Sequence, residues 1–330
     1  MKKIIFHIFI FVLICFIVPI VFTNKKVEKV SIETSKTNQI EESTYDYKKY
    51  KTIRLLHSKT GEIEELDLDE YLYGVVSAEM PANFEVEALK AQAVVARTYT
   101  IYKVINNNGK HEGADICDDS NCCQAWISKE DRFAKWEESK RQNNWNKITD
   151  CVNRTQGKII TYNGEPINAF FHSNSGGITE TTANVWGGTG YPYLQTVETA
   201  GEDAYSQYYS EVTLSKQTFI DKIREKHPDF QINFEDIDCI KVLEYTDANR
   251  VKKIKIGNLE LSGVEVRTLL GLKSANFKIS MQGDNLKFEV TGYGHGVGMS
   301  QTGADSMAKS GSTYEEIIKH FYVGVEITDV

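Results

Sequence analysis

Chemistry-bearing residues fall in four stretches of the chain. In Tyr71-Leu72-Tyr73-Gly74-Val75-Val76-Ser77-Ala78-Glu79-Met80-Pro81, one carboxylate stands among apolar neighbours. Pro81 pushes Met80 into an extended or turn conformation, so Glu79 is expected at a break between two helices. Burial among Val76, Ala78 and Met80 would raise its pKa, and a carboxyl that keeps its proton near neutral pH can act as a general acid. The spacing equally allows a solvated cap for the next helix. In His111-x5-Cys117-x4-Cys122-Cys123, thiolate and imidazole donors at loop spacing suit four-coordinate zinc. Adjacent cysteines seldom share one ion. His111, Cys117 and Cys123 are therefore the first choice of ligands, with Cys122 as substitute and His172 for the fourth position. Free thiols or one disulfide are the other reading.

The stretch Phe170-Phe171-His172-Ser173-Asn174-Ser175-Gly176-Gly177 puts small hydroxyl residues and glycines after a predicted strand. Such a loop can hydrogen-bond a sugar, or be a plain polar turn. Gly292-Tyr293-Gly294-His295-Gly296-Val297-Gly298-Met299-Ser300-Gln301 surrounds one histidine with glycines, which let a backbone approach a ligand closely. His295 is expected to be exposed there, and Ser300 to cap the helix that follows. The stretch lacks the Lys-Ser/Thr ending of a phosphate-binding loop. Arg97 lies in an otherwise apolar stretch and needs a carboxylate or a sugar oxygen as partner.

The elements that must hold these residues are legible in outline. Strands are predicted over 50–56 and 63–68, and a short helix over 69–76. A long buried helix, apolar nearly all round, is expected from Phe84 to Ile105 with Asn83 as its cap. Lys129 to Asp150 reads as a polar helix carrying Trp136 and Trp145. Strands 158–162 and 167–171 are expected to form a hairpin about Asn163-Gly164. Residues 195–290 read as a mixed subdomain with a helix near Lys216–Lys226. Ser312-Thr313-Tyr314-Glu315 is a capping box opening a last helix.

The N-terminus is different in kind. Ile4 to Phe22 is an almost continuous apolar run of 19 residues after Lys2 and Lys3. As a helix it would span roughly 30 Å, a bilayer core, with a cleaved signal peptide as the other reading. The expected organisation is a transmembrane signal-anchor over 1–23, a polar tether over 24–49 and a domain over 50–330, with 195–290 as a subdomain. The expected fold class is α+β: a single-pass anchor followed by a mixed α/β domain with a long buried helix. The net charge of -8 argues against nucleic acid as a partner, since phosphate contacts need clustered Lys and Arg.

Together, YLYGVVSAEMP, EALKAQAVVARTY, CCQAW, AFFHSNSGGITE, PYLQTVE and YGHGVGMSQTGA run in order from residue 71 to residue 304. They resemble the stage II sporulation protein D family, lytic transglycosylases of endospore engulfment. The resemblance implies cleavage between N-acetylmuramic acid and N-acetylglucosamine on glycan strands stripped of stem peptides. It implies a cell-membrane location with the domain outside, on the mother-cell side of the intermembrane space. It also implies work beside stage II sporulation proteins P, an amidase, and M, a membrane scaffold. Glu79 matches the family's acid/base. Arg97, His172, Ser173, Ser175, His295 and Gln301 match groove-lining positions. Zinc is reported for some members. Many relatives read Cys-x4-His-Cys-Gln where this chain has Cys122 at the His position. A lone carboxylate suits a transglycosylase, because the substrate's own 6-hydroxyl replaces water; hydrolysing glycosidases usually pair two. Asp115, Asp118, Asp119 and Glu180 are the acids that could approach Glu79 in space. A zinc amidase, and a non-catalytic enhancer of a partner amidase, are the rival readings.

Overall fold

The structure, a computed structural model, describes residues 50–106 and 109–329. Strand β1 (Thr52–Leu56) pairs antiparallel with β2 (Ile63–Asp67). Helix α1 (Leu68–Glu79) follows at once, capped by the Asp67 side chain, which accepts from the Asp69 amide. Its buried face, Leu68, Tyr71, Leu72, Val75 and Val76, has the spacing of an amphipathic helix. The helix stops at Met80, whose extended backbone is what a following proline enforces.

Helix α2 (Val86–Ile105) is the spine of the unit, and every residue from Ala88 to Ile101 is buried. A polar side chain can sit there only with a partner. Thr98 and Thr100 donate to carbonyls one turn back, Val94 and Ala96. The helix begins two residues later than expected, and Glu85, not Asn83, is its cap. Strand β3 (Ile116–Cys117) then joins β1 in parallel, which brings Cys117 to the sheet's edge.

The polar segment expected as one helix is two, α3 (Lys129–Lys135) and α4 (Glu138–Asn153), broken at Trp136. Strands β4 (Lys158–Tyr162) and β5 (Glu165–Pro166) form the hairpin around Asn163 and Gly164, both at positive φ. The return strand is Glu165–Pro166 and not the expected 167–171, whose last residue, Phe171, pairs instead with Met299. After β6 (Phe171–His172) and α5 (Thr182–Trp186) come β7 (Tyr209–Ser215), α6 (Lys216–Arg224), β8 (Ile240–Tyr245), β9 (Val251–Ile256), β10 (Leu259–Ser262), α7 (Gly263–Leu270), β11 (Phe277–Gln282) and β12 (Asn285–Thr291). These last eight make two three-stranded sheets, β11-β12-β7 and β10-β9-β8, around a hydrophobic cluster of their own that includes Phe219, Phe277 and Phe288.

The chain returns through β13 (Met299–Ser300), α8 (Gln301–Lys309), α9 (Tyr314–Phe321) and β14 (Glu326–Asp329). The capping box of α9 is Thr313 with Glu316, one residue beyond the expected pair. Strand β13 lies parallel to β6, His172 opposite Ser300. That two-residue pairing sets the serine-rich loop beside the start of α8.

The anchor expected over 1–23 and the tether over 24–49 lie outside the described residues. Among the described residues no helix is long and apolar enough to cross a membrane. Helix α2 has the length, but it carries Glu87, Lys90, Arg97 and Lys103. Such charges cost about 2.5–3.5 kcal/mol each at a bilayer centre. The described architecture is mixed α and β without a spanning helix. The single-pass fold class and the membrane location expected above are corrected accordingly.

Candidate functional site

Glu79 is the last residue of α1 and points into a cleft of about 640 Å³. Two donors hold its carboxylate. The Ala125 amide donates to Oε1 at 2.7 Å, and the Gln301 side chain donates to Oε2 at 3.3 Å. Burial raises the Glu79 pKa, and the two hydrogen bonds only partly offset it. Gln301 also donates to Gln92 of α2 at 3.4 Å, so the end of α1, the middle of α2 and the start of α8 meet at one carboxyl. Ser173 and Thr302 line the cleft, as do Arg132 of α3 and Trp136 at the break after it. A second cleft of about 550 Å³ shares Pro81, Asn83, Phe84 and Gln207 with the first and runs on toward Tyr205 and Lys309. An elongated polar groove of this kind suits a chain-like substrate.

The segment that delivers the Ala125 amide is tied down on both sides. The buried Gln124 amide donates to the Tyr71 hydroxyl at 2.9 Å and to Thr100 at 2.8 Å. The Trp126 indole lies directly over Gly74 of α1, where any side chain would collide with it. One residue upstream is a compact donor cluster. The ligand atoms of His111, Cys117, Cys122 and Cys123 all lie within 4.8 Å of one another, and the group could hold a metal ion. This corrects the expected set in two ways. Cys122 lies in the cluster together with Cys123, and His172 is elsewhere.

His172 is buried. Its Nδ1 lies 3.1 Å from the Val297 carbonyl, and its ring packs 5.6 Å from that of His295. Burial, then the nearby Arg250 cation, pushes its pKa down to about 3. His295 is packed beneath Trp186, with ring centroids 5.1 Å apart. Burial, then His172 and two arginines, hold it well below the usual histidine range. The glycines around it serve the protein's own packing: a Cβ at Gly296 would strike the Arg250 guanidinium, and one at Gly298 the Phe170 carbonyl. His295, expected to be exposed, is half-buried.

Ser175 and Arg97 do not line the cleft either. The Ser175 side chain is fully buried, and its hydroxyl binds the Glu202 carboxylate. The same carboxylate accepts from the amides of Ser175 and Gly177 and from Ser300 and Thr302. Arg97 is also fully buried. It donates to the carbonyls of Val152, Thr155 and Lys158 at the end of α4, and to Asp69 at 3.2 Å. Of the expected groove residues, Ser173 and Gln301 reach the cleft with Glu79. His172, Ser175, His295 and Arg97 do not line it.

None of the acids named as potential partners of Glu79 lines this cleft. Asp115 pairs with Arg54, Asp118 with Ser58 and His57, Asp119 with Asn121, and Glu180 with Thr181 and Asn184. The cleft does contain Glu137, which the sequence reading did not select. It forms an exposed ion pair with Lys140, which lowers its pKa. Trp136 was also overlooked as a site residue; a tryptophan on a mainly polar helix was its one signal.

A family model described as Stage II sporulation protein matches residues 56–162. Stage II sporulation protein D of Bacillus subtilis is 37% identical over 262 residues, covering 79% of this chain and 74% of that protein. The Bacillus amyloliquefaciens protein of the same name is 36% identical over the same shares. A Bacillus subtilis protein named amidase enhancer is 29% identical over 309 residues, 78% of this chain and 40% of that protein.

Proposed function

This chain belongs to the stage II sporulation protein D family, and on that footing we propose that it is a lytic transglycosylase acting on peptidoglycan glycan strands during sporulation. The observation that carries the reading is Glu79, a desolvated carboxyl with a raised pKa at the floor of an elongated groove. Protonated Glu79 gives its proton to the bridging oxygen as the bond from muramic acid C1 breaks. The resulting carboxylate takes the proton of the same sugar's 6-hydroxyl, whose oxygen bonds to C1. A 1,6-anhydro end forms, and Glu79 recovers its proton. The Ala125 and Gln301 donors stabilise the carboxylate midway and keep the carboxyl in place.

We read the cysteine–histidine cluster as a structural zinc site. Bonds of about 2.3 Å to sulfur and 2.0–2.1 Å to nitrogen at tetrahedral angles put sulfurs about 3.8 Å apart and sulfur about 3.5 Å from nitrogen. Cys122 and Cys123 Sγ are 3.8 Å apart, and they lie 3.5 and 3.4 Å from His111 Nε2. Zinc held there would cross-link the segment that presents the Ala125 amide. Thiolate-rich sites with no open position fit that role better than amidase chemistry.

The test is digestion of purified peptide-free strands, with the products weighed. Anhydro-ended products that vanish with Glu79→Gln support the proposal. Products one water heavier, lost equally with Glu137→Gln, make the protein a two-carboxylate hydrolase. The amidase-enhancer relative favours a second reading, in which the groove binds glycan and stimulates a partner amidase. That reading predicts no sugar product and undiminished stimulation by Glu79→Gln.

A further inference from the structure

The chain is acidic overall, with a net charge of -8, yet Arg132, Lys135 and Lys140 all line the Glu79 cleft. Lys140 is engaged by Glu137 at 2.7 Å. Arg132 is not so engaged. Its guanidinium lies over the Trp136 ring, 4.8 Å from the centroid, and its Nε is buried without a hydrogen-bond partner. Burial lowers its pKa, with no carboxylate acting the other way. The group is half-buried, and a guanidinium partly removed from water without a counter-charge is under-solvated, a cost that an incoming anion would offset. The ring restrains the guanidinium beside the cleft, and a planar fork of donors is the partner a carboxylate favours. Trp136 is itself held, since its carbonyl accepts from Arg141 Nε at 3.1 Å. Lys135 follows on the same helix and adds a second positive charge.

The anionic group that a strand of N-acetylated sugars offers beside the scissile bond is the lactyl carboxylate of muramic acid. In a peptide-bearing strand that carbon is an amide and carries no charge. We propose that Arg132, backed by Lys135, is the specificity-determining subsite that reads the free lactyl carboxylate, so that the cleft selects muramic acid residues already stripped of their peptides. The proposal rests on the glycan-strand reading above, but not on the cleavage step.

The test is a binding measurement in the full chain carrying Glu79→Gln. The probes are peptide-free strands and the same strands with their lactyl carboxylates converted to methylamides. Amidated strands should bind about tenfold or more weakly, the usual worth of a charge-assisted hydrogen bond. Adding Arg132→Gln should weaken binding of the free-carboxylate strands by the same factor and leave the amidated strands unchanged. Lys135→Gln, at an exposed position, should give a smaller loss with the same selectivity, and decides the matter if Arg132→Gln does not fold. Equal affinity for the two probes, no binding of either, or an Arg132→Gln loss shared by both overturns the proposal. Binding is read without bond cleavage, so failure of the transglycosylase reading appears separately, as absence of anhydro products from the unmodified protein.

Discussion

Gly74→Ala sets two known quantities against each other. In the interior of α1, alanine is favoured over glycine by about 0.8–1.0 kcal/mol. The new methyl would lie 2.6 Å from Cδ1 and 2.8 Å from Cε2 of Trp126. Carbon atoms pack best at roughly 3.5–4.0 Å, so the indole must retreat by about 1 Å. Overpacking of that kind typically costs about 1–3 kcal/mol. The balance is a destabilisation of about 0–2 kcal/mol, or a fall in Tm of roughly 0–6 °C for a chain of this size. Function should suffer far more. Trp126 adjoins Ala125, whose amide holds Glu79, and a displacement of about 1 Å at a catalytic group can cost about 10²-fold in rate. The assay pairs a melting curve with the rate of strand cleavage. A variant that melts higher and cleaves at the parent rate would refute the reasoning, because it would mean that the indole does not rest on Gly74.

Three further predictions are simpler. Burial raises the Glu79 pKa in the folded chain, so between the unfolded and folded values the folded chain holds a proton that the unfolded chain has lost. The stability this contributes is present below the unfolded value, about 4.3, and fades as pH rises toward the folded value. Glu79→Gln should therefore melt above the parent at neutral pH and converge with it in acid, while parent kcat declines as pH rises through the raised pKa. Cys117→Ser should lose the bound metal, measured as zinc released per chain, and should lower both Tm and cleavage rate; an unchanged metal content would exclude Cys117 as a ligand. Arg97→Ala removes the charged partner of Asp69 and the donor to three carbonyls, and should cost about 3–5 kcal/mol. A variant of normal stability with only a raised KM would instead return Arg97 to the groove.

Local signals in the sequence were reliable where the physics is local. Pro81 ends α1, Asn163-Gly164 turns the hairpin, and unbroken apolar content marks α2. Glu79 stood out for the same reason: its neighbours in sequence are also its neighbours in space. The groove residues were harder, because a serine or histidine after a strand looks the same whether it faces substrate or a buried carboxylate. Ser175 serves Glu202, a residue with no motif around it, and His295 serves the packing of Trp186. The cysteine cluster was visible by residue type, but its four-membered geometry was not, since adjacent side chains converge only when the backbone turns between them. Trp136 was visible only as a tryptophan on a polar helix, and Arg132 not at all, because the break between α3 and α4 that sets Trp136 beside the cleft leaves no proline or glycine behind.

The hydrogen bond between Gln301 and Glu79 joins residues 222 positions apart. At a synthesis rate of about 5–20 residues per second, roughly 10–45 s separate the appearance of the acid from that of the side chain that steadies it. The short β6–β13 pairing that seats Gln301 must close a loop of more than a hundred residues, a slow step in folding. For that interval a growing chain holds its acid without half of its support. If the chain cleaves wall polymer as proposed, it becomes competent only as its last helices dock, a delay written into its topology and needing no inhibitor.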